Sequence, residues 1–216
     1  MVLKGILMLV IAIVVSYLIG SVNSAITVCK IWKKQDIRDY GSKNAGLTNV
    51  LRVYGKMPAL VTLICDLLKG VIAVLLTRLI AGWLGVFDTN LFISYVSGIS
   101  VMLGHIFPIY YGFHGGKGVL IAATTLLAID PLTFCIIIPF FAIILYFTRY
   151  VSVSSISAAI FYPLLTLITQ GLRGFDMYIL NAFMAYFIGI LIVWMHRANI
   201  ERLKNGTENR FSFNKK

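Results

Sequence analysis

Long apolar runs alternate with short polar, basic stretches along this chain, and the runs set the elements it can build. The first run, about Leu3 to Ile26, is long enough to cross a bilayer as a helix. KIWKKQDIRDY, Lys30 to Tyr40, sets Trp32, Ile37 and Tyr40 among charges, the pattern of an amphipathic piece lying on lipid headgroups. A polar stretch from Gly41 to Arg52 follows, and Pro58 opens a second run reaching about Ile80. AGWLGVFDTN, residues 81–90, reads as a turn. A third run covers about Leu91 to Tyr111, and GFHGGKG follows it. Val119 to Tyr146 is then apolar apart from Asp130-Pro131. A helix rarely passes such a pair, because proline removes a donor and the residue before it avoids the helical region. Two helices are therefore expected, about Val119 to Ile129 and Leu132 to Phe147. The shorter one rises only about 16 Å, roughly half of a hydrocarbon core of about 30 Å. It is either a tucked half-span or a tilted neighbour at a thinned site. TRYVSVSS, Thr148 to Ser155, is polar again; Ile156 to Thr169 is a sixth segment, QGLRGFD a turn, and Met177 to Met195 a seventh, before a tail that opens HRANIERLKNGTENR.

Composition turns this pattern into a class. The chain is 59% hydrophobic and 12% charged, with a mean hydropathy of +0.90, which no soluble domain of this size carries. An all-α integral membrane protein is expected, with seven hydrophobic helical segments, some short or half-span, in a single polytopic domain over residues 1–216. The net charge of +11 is unevenly spread. If the Val119–Phe147 stretch is a hairpin, one side of the membrane holds Lys30, Lys33, Lys34, Arg38, Lys43, Arg52, Lys56, Lys117, Arg149 and the basic residues of the tail. The other side holds Lys4, Arg78 and Arg173. Unsplit, the bias disappears. Basic loops stay in the cytoplasm, so the N-terminus is expected in the periplasm and the C-terminus in the cytoplasm. The first run also resembles a signal peptide cleaved near Ala25; that would export the most basic loop, so an uncleaved span is expected. Cys29, Cys65 and Cys135 are scattered among apolar residues and read as small buried hydrophobes. The three histidines lie far apart, and neither a metal nor a cofactor is expected.

The polar stretches carry the candidate chemistry. In GSKNAGLTNVLR, Gly41 and Gly46 free the backbone so that amides can converge on one point. Ser42, Asn44, Thr48 and Asn49 add neutral hydrogen-bonding groups, and Lys43 and Arg52 add charge. Such a set suits a phosphate; it also suits a polar loop between two membrane helices. GGKG, Gly115 to Gly118, precedes a helix whose N-terminus carries partial positive charge and unpaired amides, with Lys117 beside it. It lacks the GxxxxGK[ST] spacing, so ATP is not implied. A flexible glycine turn with a snorkelling lysine is the plainer reading. His105 reads as a bond to a neighbouring helix, and His114 as an interfacial residue or a second contact. His196 and Asn199 share a face if the last helix continues into the tail; there His196 can donate a hydrogen bond or take a proton, or be an interfacial residue at a helix end. Ser152, Ser154 and Ser155 line the same cavity or are ordinary turn residues. Asp66 and Lys69, three apart within a span, read as an internal ion pair. A transporter for a phosphorylated metabolite is the alternative class, but it calls for polar groups near the midplane and inverted repeats, and no repeat is visible.

These motifs resemble a known family. GSKNAGLTNVLR is similar to the first signature, GSxNxGxTNxxR, of the bacterial acyl-phosphate:glycerol-3-phosphate acyltransferases, the PlsY family. GHIFPIYYGFHGGKGV is similar to the second signature, TRYVSVSSI to a serine-containing cytoplasmic loop, and HRANIERLKNGTE to the C-terminal signature; DLLKG also fits. The chain departs from the pattern at Asn23, where relatives commonly carry proline. The resemblance implies an enzyme of the bacterial inner membrane with a seven-helix fold and a site facing the cytoplasm. It would move a fatty acyl group from acyl phosphate to the sn-1 hydroxyl of glycerol 3-phosphate, giving 1-acylglycerol 3-phosphate and inorganic phosphate, the first acylation of phospholipid synthesis. Its partners would be those two substrates and membrane lipids, with functional coupling to the enzyme that makes acyl phosphate, and no nucleic acid. Ser42, Arg52, Lys117, His196 and Asn199 are then the expected catalytic residues. Gly41, Asn44, Thr48, Asn49, Gly115, Gly116 and Ser155 are expected to bind substrate or phosphate, the amides of Gly115 and Gly116 holding phosphate oxygens.

Overall fold

The computed structural model describes residues 2–86 and 91–211. Residues 87–90 of the turn expected over 81–90, and the last two lysines of the tail, lie outside the described residues. Among the described residues the elements are helices α1 (Val2–Ser21), α2 (Ser24–Lys33), α3 (Leu47–Tyr54), α4 (Lys56–Trp83), α5 (Phe92–Ile106), α6 (Val119–Ile129), α7 (Pro131–Thr148), α8 (Val151–Leu172), α9 (Tyr178–Met195) and α10 (Arg197–Lys204), with 3-10 turns at Ile37–Asp39 and Ile109–Tyr111. Among the described residues six segments are long and apolar enough to cross a membrane, counting Val2–Lys33 as one. The 11-residue α6 is the seventh hydrophobic segment. Leu60, Ile64, Ile72 and Leu79 on α4, and Phe183, Tyr186 and Ile190 on α9, are exposed, as side chains are that face lipid rather than water.

The chain divides into two compact units, Met1–Ile129 and Asp130–Lys216. In the first, α1 lies along α5, α4 contacts α1, α5 and α6, and α2 and α3 pack on α4. Where apolar side chains gain little by leaving lipid, helices associate by close packing, and small residues mark the crossings here. A Cβ on Gly20 would lie 2.1 Å from the Val101 carbonyl oxygen, and one on Gly104 2.2 Å from that of Tyr17. A second apolar cluster, Ala25, Ile26, Cys29, Ile37, Ala45, Val50 and Ala59, sits under the loops between α2 and α4. Arg78 on α4 donates to Ser94 Oγ and, at 3.0 Å, to the carbonyl of Ala128 in the last turn of α6.

In the second unit α8 packs on α7 and α9, and Gly189 brings α9 within reach of the Ala159 carbonyl. Asp130 caps α7, its carboxylate accepting from Thr133 N and Oγ1. Pro131 takes the first helical position, where the missing N–H is no loss. The same buried carboxylate accepts from Gln170 and Arg173, and Asn181 donates on to Gln170. The Asp-Pro pair thus both stops α6 and starts α7.

Three expectations need correction. The first span is interrupted at Val22-Asn23, because Asn23 leaves the helical region and caps α2, accepting the Ile26 N–H at 3.1 Å. Ile37 is fully buried in the cluster under the loops rather than facing lipid, while Trp32 and Tyr40 remain exposed. Helix α8 begins at Val151, so the serines expected in a loop lie in its first turns.

Candidate active site

The Gly41–Arg52 stretch folds as a loop followed by α3. Gly41 and Lys43 both adopt positive φ, +59° and +58°, and turn the chain back on itself. Asn49, 1% exposed, holds the turn together. Its Oδ1 accepts the Ser42 N–H at 2.9 Å, and its Nδ2 donates to the carbonyls of Tyr40 at 3.0 Å, Asn44 at 3.1 Å and Ile37 at 3.3 Å. Both ends of this amide are committed inside the loop, so Asn49 shapes the site rather than reaching out of it. Gly41 belongs to the same device, since a Cβ there would meet Asn49 Oδ1 at 2.3 Å. Arg52 lies four residues after Thr48 and shares its helix face; Ser42 and Arg52 are exposed, Asn44 and Thr48 half-buried.

The GGKG loop corrects a further expectation. The N–H of Gly115 donates to the Ile106 carbonyl at 3.0 Å and that of Gly116 to the His105 carbonyl at 3.1 Å. Those amides pin the loop to the end of α5 and do not face an anion. The donors suited to an anion are the unpaired amides of the first turn of α6, which starts at Val119 after Gly118 at φ +80°. Lys117 is half-buried beside them.

The two loops are locked to one another. A Cβ on Gly116 would lie 2.7 Å from the Ala45 carbonyl oxygen, so the second loop rests directly on the first. Asn23 Nδ2 donates to that same carbonyl at 3.4 Å. Arg38 spans the loops as well, donating to the carbonyls of Tyr111 at 2.8 Å and His114 at 3.0 Å while its other nitrogens bind Asp36. Hydrogen bonds from Arg38, with Lys30 3.3 Å away, hold the Asp36 carboxyl down at about 2. Beneath the loops Asp66 and Lys69 form the expected buried pair at 2.9 Å, and Lys69 also reaches Val22 and His105.

The second unit assembles the tail and the α7–α8 junction around Glu208, which sequence reasoning left without a role. Ser152 Oγ and Asn199 Nδ2 both donate to Oε1, at 3.0 and 2.7 Å, and Arg202 Nε donates to Oε2 at 2.7 Å. Burial pushes this carboxyl up, but the bonds from Asn199, Arg202 and Ser152 outweigh it and the net shift is down. His196 sits between α9 and α10, buried, with Nδ1 2.7 Å from the Ile192 carbonyl. A carbonyl only accepts, so Nδ1 carries a proton. Ser155 is buried, and its hydroxyl donates back to the Val151 carbonyl.

A family model described as glycerol-3-phosphate acyltransferase matches residues 10–206 of this sequence. The chain belongs to the glycerol-3-phosphate acyltransferase family. A glycerol-3-phosphate acyltransferase of Chlorobaculum tepidum is 41% identical over 94% of this chain and 97% of its own. One of Paraburkholderia phymatum is 42% identical over 94% and 92%. The crystal structure of the integral membrane acyltransferase PlsY (YgiH) in its glycerol 3-phosphate form superposes with a TM-score of 0.80 at 34% identity, over 94% of this chain and 96% of that one. This chain is thus a multi-pass membrane acyltransferase, and the sequence signatures that pointed to the family fall on its loops and helix ends. Within the first unit the stretch that holds Gly41, Ser42, Asn44, Thr48, Asn49 and Arg52 meets the GGKG loop where Ala45 touches Gly116; within the second, Asn199 and Ser152 meet at Glu208. Glu208 was legible in part, as one of two carboxylates, with Glu201, in the basic run HRANIERLKNGTENR.

Proposed function

We propose that this chain transfers a fatty acyl group from acyl phosphate to the sn-1 hydroxyl of glycerol 3-phosphate, releasing 1-acylglycerol 3-phosphate and inorganic phosphate. The observation that carries the reading is the contact of Gly116 with Ala45, which locks the loop leading into α3, the helix of Arg52, to the loop of Lys117. Two cations and a helix N-terminus, with no carboxylate among the expected site residues, suit a phosphate group.

Acyl phosphate is a mixed anhydride and needs no further activation. The glycerol hydroxyl oxygen bonds to the acyl carbon, and the oxyanion that forms collapses with cleavage of the carbon–oxygen bond to phosphate. The hydroxyl proton passes to a phosphate oxygen, so no protein base is consumed. Arg52, Lys117 and the first amides of α6 hold phosphate oxygens. Ser42, Asn44 and Thr48 position the glycerol phosphate. Gly41, Gly115, Gly116 and Asn49 act through the backbone they shape. Asn199, steadied by Glu208, and His196 orient the attacking hydroxyl, and Ser155 supports its own helix start.

The family match runs through both units, which supports one acyltransferase domain over residues 1–216. The charge bias supports a bacterial inner-membrane protein with its site toward the cytoplasm and its N-terminus in the periplasm. The test is purified full-length protein in lipid nanodiscs given labelled glycerol 3-phosphate with acyl phosphate, acyl-CoA or acyl-carrier protein. Lysophosphatidic acid and phosphate in equal amounts from acyl phosphate alone are expected. Product from acyl-CoA and none from acyl phosphate would overturn the donor.

A further inference from the structure

His105 lies outside the groups used above, yet it grips the GGKG loop twice. Its carbonyl accepts the Gly116 N–H, and its ring Nε2 stands 2.2 Å from where a Cβ of Gly116 would be, a place also crowded by the Ala45 carbonyl. On the other side of the ring, Nδ1 is 3.1 Å from Lys69 Nζ.

An ammonium has three hydrogens to give and nothing to accept with. Lys69 Nζ has three neighbours: Asp66 Oδ1 at 2.9 Å, the Val22 carbonyl at 3.1 Å and His105 Nδ1 at 3.1 Å. An ammonium can only donate, so toward His105 it needs an acceptor and Nδ1 must be the bare nitrogen. An imidazolium there would set two cations side by side in a buried site with one carboxylate, which Coulomb repulsion disfavours. The proton therefore sits on Nε2, the nitrogen facing Gly116 and Ala45.

We propose that His105 is a positioning residue, locked as its Nε2–H tautomer by Lys69, and that it fixes Gly116 against Ala45 and so sets the spacing of the two phosphate-binding loops. Asp66 acts one step further back by holding Lys69 charged. The chain of contacts runs from α4 through α5 to the loop that precedes α6. Its kinetic consequence rests on the acyl-phosphate reading above; the tautomer does not.

Two measurements test it. In full-length protein labelled with nitrogen-15 at histidine, with signals assigned by H114Q and H105Q, His105 is expected to show a bare Nδ1 and a protonated Nε2. A protonated Nδ1, or both nitrogens protonated, overturns the proposal. In steady-state turnover with acyl phosphate and glycerol 3-phosphate, H105N keeps an acceptor for Lys69 but loses the donor toward the loop, whereas H105Q keeps the donor. H105N is expected to raise KM for at least one of the two phosphate substrates by about tenfold with kcat within about threefold, and H105Q to recover most of it. KM values for H105N within about twofold of wild type overturn the positioning role. A wild-type protein that makes no product from acyl phosphate defeats the donor assignment instead, and the tautomer measurement still decides the relay.

Discussion

Arg52 and Lys117 are asked to do different work from the neutral residues around them, since they bring full charge to the proposed phosphate cup. Losing one oxyanion-type donor typically costs about 10²–10³ in rate. Arg52→Ala and Lys117→Ala are each expected to lose at least that much in kcat/KM with acyl phosphate; near-normal turnover in both would remove them from the site. Asp36 gives a pH signature at the same scale. Its folded value of about 2 lies below the usual unfolded value of about 3.9. The stabilisation it adds through Arg38 is therefore complete above about pH 4 and drains away as pH falls toward 2. Protection factors of amides in residues 34–46, taken against the intrinsic exchange rate at each pH, are expected to fall in that window and to hold steady between pH 5 and 8. Glu208, also shifted down, has the same sign. The residue types of the site were readable in the chain, but their division of labour was not. Nothing in the letters of GSKNAG tells that Asn49 turns inward to three carbonyls while Ser42 stays out. Nothing in GGKG tells that its glycine amides face α5.

Elements were read with more success where composition decides them and with less where a single side chain does. Asp130-Pro131 announced the α6–α7 boundary because its backbone consequences are local. The break between α1 and α2 was invisible because it depends on Asn23 finding both the Ile26 amide and, across the loop, the Ala45 carbonyl. Removing an asparagine cap costs about 0.5–2 kcal/mol, so Asn23→Ala should lower the thermal midpoint of the purified protein. Asn23 has φ −74°, within the range proline imposes. Asn23→Pro is therefore expected to fall between wild type and Asn23→Ala, recovering through a stiffer unfolded chain part of what the lost cap takes away. The serines of α8 were misread for the opposite reason: a polar run beside an arginine looks like a loop, but the hydroxyls of Ser154 and Ser155 find carbonyls one turn back and let the helix start early.

For the whole molecule, the distribution of lysine and arginine makes a claim about sidedness that single cysteines can check. Cysteines placed at Lys43, Lys117 and Lys204 should react with an impermeant maleimide only from the cytoplasmic side of sealed vesicles, and a cysteine at Lys4 only from the other. Labelling of positions 117 and 204 from opposite sides would break the reading. The family signatures were legible because they lie in polar interruptions of an otherwise apolar text; the lipid-facing helices carry no comparable mark. One feature of those helices reaches beyond the reaction. Eleven residues of α6 rise about 16 Å, short of a core of about 30 Å, and the Ala128 carbonyl near its end is met by the Arg78 guanidinium. That contact gives a carbonyl at the short helix's end a charged donor inside the first unit: with Arg78→Leu the carbonyl loses it, and the purified variant is expected to melt at a lower temperature than the parent protein.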